Sequence, residues 1–182
     1  MWGVVMLLNV SQLLLEPSGS SREYQLEERA ALLDGAEDSV VTGTVLLFRT
    51  DKSVWASASL NTEVRVECGR CLAAFGQPID ITIEEEFFPL LDPVTGIKEK
   101  PLDDDGEYQY LSEDHMLDLS GPARDCVLLD MPMKPLCNPT CAGLCSNCGV
   151  NRNDVQCLCD SAAIDPRWDA LLSLAAHNVD EN

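Results

Sequence analysis

Every second residue is apolar from Val54 to Leu60. Val54, Ala56, Ala58 and Leu60 fall on one side, and Trp55, Ser57 and Ser59 on the other. A period of two predicts a strand with one buried face. The alternation recurs: Val64, Val66 and Cys68 against Arg65 and Glu67, then Ile79, Ile81 and Ile83 against Asp80, Thr82 and Glu84. Between Arg22 and Glu28, Tyr24 and Leu26 alternate with charged residues, and Val40 to Arg49 is a β-branched run carrying Gly43. Thr50 to Ser53 is the hairpin turn between two strands, and Cys68 to Cys71 a second tight turn. Phe75-Gly76-Gln77-Pro78 is expected to redirect the chain before the isoleucine strand, which ends near Phe88-Pro89. Trp55 is expected to serve packing rather than ligand stacking. Four or more strands at such short spacing predict an antiparallel meander or small open barrel.

The helical signals are fewer. Asn9 to Glu16 reads as a short strand and then a helical turn capped by Ser11, which Pro17-Ser18-Gly19-Ser20-Ser21 breaks. Leu117 to Met131 suits a helix capped by Ser120, with Pro122 in its first turn and Cys126, Leu129 and Met133 on one face. Cys126, alone on that helix, reads as a buried core thiol. Pro132 and Pro135 end the helix. Near the C-terminus, Asp165 is the expected cap of a last helix, with Pro166 at its first position and Trp168, Leu171, Leu172 and Ala175 for burial. Leu91 to Asp114 is rich in Pro, Gly and acid and reads as a long exposed loop with one short strand at Tyr108 to Leu111. Asp103-Asp104-Asp105 within it reads as a solvated run rather than a cation site. The fold class is therefore α+β. Residues 1–135 form a β-rich domain with an acidic loop (about 91–114) and a helix (about 118–131). Residues 136–182 form a cysteine-rich, metal-binding tail with a short C-terminal helix.

Composition narrows the function classes. The chain has 182 residues, 46% of them hydrophobic and 5% aromatic, so an aliphatic core is affordable in one domain plus a tail. Met1 to Leu15 is apolar but lacks the basic region and cleavage site of an export signal. It is also shorter than the roughly 20 apolar residues of a membrane span. A cytoplasmic location without a membrane role is expected, where thiols stay reduced and cysteine clusters read as metal ligands. The net charge is −19. Wrapping RNA by neutralising phosphates needs clustered Lys and Arg, so this acidity argues against it and favours a basic protein partner. The plain alternative is that the charge only keeps the chain soluble.

Six of the nine cysteines lie between Cys137 and Cys159, in the spacing Cys-x3-Cys-x3-Cys-x2-Cys-x8-Cys-x-Cys. Cys145-Ser146-Asn147-Cys148-Gly149 has the form of a chelating pair: both thiolates face one ion, and the glycine permits the turn. One partition joins Cys145, Cys148, Cys157 and Cys159 in a structural Zn2+ site. Cys137 and Cys141 are then left to meet Cys68 and Cys71 in a second. The alternative is a single site within the tail. The spacing matches neither ferredoxin pattern. A redox role for Cys68-x2-Cys71 lacks the helix N-terminus that lowers a thiol pKa. The two histidines, His115 and His177, form no evident nucleophile pair, and no phosphate-cradling loop or paired-carboxylate signature is present. No catalytic residues and no small-molecule substrate are expected.

Joint motifs carry a family resemblance. They are Val66-Glu67-Cys68-Gly69-Arg70-Cys71-Leu72, Met131-Pro132-Met133-Lys134-Pro135-Leu136-Cys137, Cys141-Ala142-Gly143-Leu144-Cys145-Ser146-Asn147-Cys148-Gly149, Asn151 and Asn153, Cys157-Leu158-Cys159 and Asp165-Pro166-Arg167-Trp168. From about Met6 to Leu174 the chain resembles the bacterial YceD-type large ribosomal RNA subunit accumulation proteins. The resemblance implies a noncatalytic ribosome-biogenesis factor supporting accumulation or processing of large-subunit (23S) ribosomal RNA. It also implies a start near Met6, with Met1 to Val5 an upstream extension. With the acidity, it points to a large-subunit ribosomal protein or assembly factor as partner, and to at most a local contact with 23S rRNA near Arg65 and Arg70. The alternative is a zinc-binding protein-interaction or transcription-regulating module whose tail is the working part.

Overall fold

The computed structural model describes residues 6–33, 39–98, 100, 108–159 and 167. The expected N-terminal extension, the Asp103–Asp105 run, the C-terminal helix begun by Asp165 and His177 lie outside these residues. The chain divides into two compact units: Met1–Cys68 with Ala73–Cys137, and Gly69–Leu72 with Asn138–Asn182.

The first unit is built on a five-stranded sheet. In chain order its elements are β1 (Leu7–Asn9), α1 (Ser11–Leu15), β2 (Ser21–Ala30), β3 (Ser39–Arg49), β4 (Val54–Glu67), β5 (Ala74–Phe88), β6 (Gln109–Tyr110), β7 (Met116–Asp118) and α2 (Ser120–Asp130). The sheet order is β2-β3-β4-β5-β6. The first four strands form an antiparallel meander, and β6 adds in parallel beside Phe87 and Phe88. β1 and β7 make a separate antiparallel pair. The sheet is open, and the fold class is the α+β one expected.

Alternation fixes which face is buried. Val45 lies opposite Ala58, and Ala58 opposite Ile83; Leu60 lies opposite Ile81. All five side chains are buried, and with Val41, Leu47, Val54, Val64, Ile79 and Phe87 they form the core face. Met6, Val10, Leu13, Leu111, Leu117, Leu119, Ala123 and Val127 join the same core. Two backbone bonds tie the N-terminus into it: Leu119 N–H donates to the Met6 carbonyl (3.0 Å), and Val10 N–H to the His115 carbonyl (3.1 Å).

The structure corrects the sequence reading in several places. Val54–Leu60 and the alternating residues from Thr62 to Glu67 belong to one strand, β4, because Thr62 keeps the inward phase; Cys68 follows its end. The Thr62 hydroxyl is satisfied by donating to the Val40 carbonyl at 3.0 Å. Phe75 to Pro78 does not redirect the chain; it lies within β5, opposite Glu63 to Val66. Proline is tolerated there because β6 reaches only Phe87 and Phe88, so that part of β5 has β4 on one side alone among the described residues. Leu117 and Asp118 are in β7 rather than the helix, since Leu117 pairs with Leu8. Neither Ser11 nor Ser120 caps through its side chain. Ser120 Oγ instead accepts the Met6 N–H at 2.8 Å. The face α2 buries is Pro122, Ala123 and Val127, with Cys126 half-buried beside it. Leu129 and Met133 lie outside it, 85% and 101% exposed. The Cys126 thiol donates to the Thr82 carbonyl at 3.4 Å, and burial, then Asp125 and Glu85, push its pKa up. Trp55 stands on the open face opposite Phe48 and Glu86, 37% exposed.

Candidate metal centres

The second unit is organised by turns. Cys145 N–H donates to the Val150 carbonyl and Gly149 N–H to the Cys145 carbonyl, both at 2.9 Å. This loop needs a left-handed residue at its end, and Gly149 supplies it with φ +72°. A single bridge, Leu144 to Asn151, closes the loop's base, and Arg152 N–H bonds back to the Gly143 carbonyl at 2.9 Å.

The loop brings four thiols together. The sulfurs of Cys145, Cys148, Cys157 and Cys159 all lie within 4.8 Å of one another. Cys157 Sγ is 3.4 Å from both Cys148 Sγ and Cys145 Sγ. Those separations are far beyond a disulfide bond of about 2.05 Å. They are near the roughly 3.8 Å between sulfurs in a tetrahedron with Zn–S of about 2.3 Å.

The protonation of these thiols is split. Cys145 is drawn down to about 6, first by the Cys148 backbone N–H, then by that of Asn147 and by the Cys157 thiol. Cys159 is pushed up to about 12 by its hydrogen bonds with Cys157 and then Cys148. Cys157 is also raised: the Cys159 N–H favours its thiolate, but the bonds with Cys145 and Cys148 outweigh it. Neighbouring thiols share protons because four thiolates so close repel. A bound cation removes that repulsion, so the donor set fits a thiophilic metal.

Four other cysteines form another set. The sulfurs of Cys68, Cys71, Cys137 and Cys141 also lie within 4.8 Å of one another. Cys68, Cys71 and Cys141 are buried and Cys137 is exposed. Several bonds position this set. Arg70 Nη1 donates to the Cys141 carbonyl at 2.9 Å, and Leu144 N–H to the Arg70 carbonyl at 3.1 Å. Asn153 Nδ2 donates to Cys141 Sγ at 3.3 Å while its Oδ1 accepts the Ala142 N–H at 2.8 Å. Hydrogen bonds of this kind hold a ligating group in its orientation.

The eight cysteines singled out from the sequence thus fall into two groups of four, either able to hold a metal ion. Arg65 and Arg70 have different settings. Arg65 is on the exposed face of β4 opposite Gly76, whereas Arg70 spends part of its guanidinium on the Cys141 carbonyl. The positioning role of Asn153 has no spacing signature; only its place in the motif pointed to it.

The fold and these centres define a class: an open-sheet α+β protein carrying a cysteine-rich knuckle with two potential metal sites. The family model for the large ribosomal RNA subunit accumulation protein YceD matches residues 56–175. The chain belongs to that family. It is 30% identical over 121 residues to the uncharacterized protein Mb2951c of Mycobacterium bovis, covering 63% of this chain and 52% of that protein. The uncharacterized protein Rv2926c of Mycobacterium tuberculosis matches to the same extent. The chloroplastic YCED homolog 1 of Zea mays, named as a large ribosomal RNA subunit accumulation protein, is 34% identical over 62 residues. That match covers 34% of this chain and 21% of the maize protein. The chain thus spans about half the length, or less, of these relatives. No solved structure matches.

Proposed function

We propose that this chain is a noncatalytic ribosome-assembly factor that supports accumulation of large-subunit (23S) ribosomal RNA. It acts by holding a basic large-subunit ribosomal protein or assembly factor, in the cytoplasm. The observation that carries this reading is the family match over residues 56–175. Charge supports the choice of partner. The register of β2 to β5 puts Glu23, Glu27, Glu63, Glu67, Asp80, Glu84 and Glu86 on the open sheet face, against Arg29 and Arg65. A face of that sign attracts a basic protein and repels phosphate. Zinc in the two cysteine sets is the proposed structural support, and Arg65 and Arg70 are the proposed local contacts to partner or RNA.

Depletion of the protein in its host tests the reading. The ratio of 23S to 16S rRNA is expected to fall and to recover when the wild-type chain is restored. An unchanged ratio would contradict the assembly role. Purified chain titrated with 23S rRNA over a salt series tests the partner. Weak binding to rRNA and tight binding to purified basic large-subunit proteins is the expected pattern. Submicromolar rRNA affinity that collapses with salt is the signature of phosphate neutralisation and overturns the partner reading.

A further inference from the structure

A cavity of about 340 Å³ opens in the first unit beside the β3–β4 turn and the end of β5. Its size is near the lower end of ligand pockets, roughly 300–1,000 Å³, so it suits one small ligand rather than a polymer segment. Arg49, Lys52 and Lys100 line it, three of only 12 Lys and Arg in a chain of net charge −19. Phe88 and Tyr110 line it as well. They are cross-strand neighbours in β5 and β6, with ring centroids 6.5 Å apart and planes tilted by 53°.

Two carboxylates share the lining, Asp51 and Asp92. Asp92 is spoken for: its Oδ1 accepts the backbone N–H groups of Val94 (3.0 Å) and Thr95 (2.6 Å) and the Thr95 hydroxyl (2.7 Å). Arg49 is not fully used. Its Nη1 donates to the Ser53 carbonyl at 3.0 Å, but its Nε is buried with no hydrogen-bond partner among the described residues. Buried donors rarely stay unpaired, and an anionic oxygen is the acceptor a guanidinium takes best. Cations beside aromatic rings recognise a ligand with an anionic end and a planar end.

We propose that this cavity binds one nucleotide, its phosphate on Arg49, Lys52 and Lys100 and its base against Phe88 and Tyr110. The nucleotide comes either from single-stranded RNA or from a free mononucleotide. The site stands on its own residues and not on the protein-partner reading, so either can fail without the other. It also differs from the local contact expected at Arg65 and Arg70.

The test uses the purified full chain with single-stranded hexa-adenylate, AMP and inorganic phosphate as probes, followed by amide chemical shifts. Both nucleotide probes are expected to shift residues 49–52 and 88, with inorganic phosphate at least about ten-fold weaker because it has no base to stack. Lys52→Glu with Lys100→Glu, both on exposed side chains, should weaken AMP by at least about ten-fold through loss of two charged contacts. Lys134→Glu, an exposed lysine outside the lining, should leave it unchanged. Hexa-adenylate binding much tighter than AMP assigns the site to an RNA strand, and equal binding assigns it to a free nucleotide. The proposal is overturned if neither nucleotide shifts these residues at millimolar concentration. It is also overturned if phosphate binds as well as AMP, or if Lys134→Glu weakens AMP as much as Lys52→Glu with Lys100→Glu does.

Discussion

Chelation of bound metal, or Cys145→Ser with Cys148→Ser, will unfold the second unit and leave the sheet folded. Among the described residues of that unit, the buried ones are Cys71, Cys141 and Gly143. The apolar side chains that a core would use are outside: Val155 is 53% exposed and Leu158 99%. Its strand pairing among the described residues is one isolated bridge, Leu144 to Asn151. Ordering each residue costs about 1–2 kcal/mol of backbone entropy, and the described residues of this unit bury too little apolar surface to offset it. A structural zinc contributes roughly 10–16 kcal/mol of apparent binding free energy, enough to change the balance outright. The first unit has its own core of buried aliphatic residues and does not depend on the ion. Hydrogen exchange reads the outcome at the amides of Cys145, Gly149 and Arg152, whose bonds close the knuckle. They should lose protection without metal while the β4 and β5 amides keep theirs. Persistent protection of those three amides in metal-free protein would sink the idea.

Gly43→Ala should cost the first unit roughly 2–5 kcal/mol, combining backbone strain with overpacking. Gly43 sits in the middle of β3 with φ +152°, a conformation that side chains rarely adopt. A Cβ there would lie 2.2 Å from the Ser59 carbonyl oxygen and 2.7 Å from Leu60 Cα. Both are backbone atoms of the neighbouring strand, so relief requires parting β3 from β4, and the cross-strand row with Leu26 and Leu60 goes with it. Gly121→Ala is the opposite case. It lies in the first turn of α2 with nothing within 4 Å, so alanine should be neutral or stabilise by up to about 1 kcal/mol. Urea unfolding followed at the sheet measures both. Equal midpoints for Gly43→Ala and wild type would contradict the close-approach argument.

The strands were legible where alternation was unbroken, as from Val54 to Leu60 and at Ile79, Ile81 and Ile83. Reading failed where a polar residue kept the inward phase, as Thr62 does, because its satisfaction by the Val40 carbonyl is a tertiary fact. It failed at Leu117 for a similar reason: the residue pairs with Leu8, 109 positions earlier, and no local window contains both. The choice of helix face went wrong because Leu128, Leu129 and Met133 are apolar yet exposed, so hydrophobicity pointed away from the buried Ala123 and Val127. The cysteines were the most legible part, since thiol chemistry allows few readings of eight residues so spaced. What spacing could not supply was the help from Arg70 and Asn153, which hold Cys141 through its carbonyl and its sulfur. The cavity had no signature at all. Arg49, Lys52 and Lys100 are scattered in sequence and meet only because the β3–β4 turn lies beside the end of β5.

We propose that eight of the nine cysteines build two metal centres. Elemental analysis of the purified chain, prepared without added chelator and quantified by amino-acid analysis, tests it most directly. Two zinc ions per chain are predicted, falling to one when Cys68→Ser and Cys71→Ser are made together. One ion per wild-type chain would contradict the second centre, and none would contradict both.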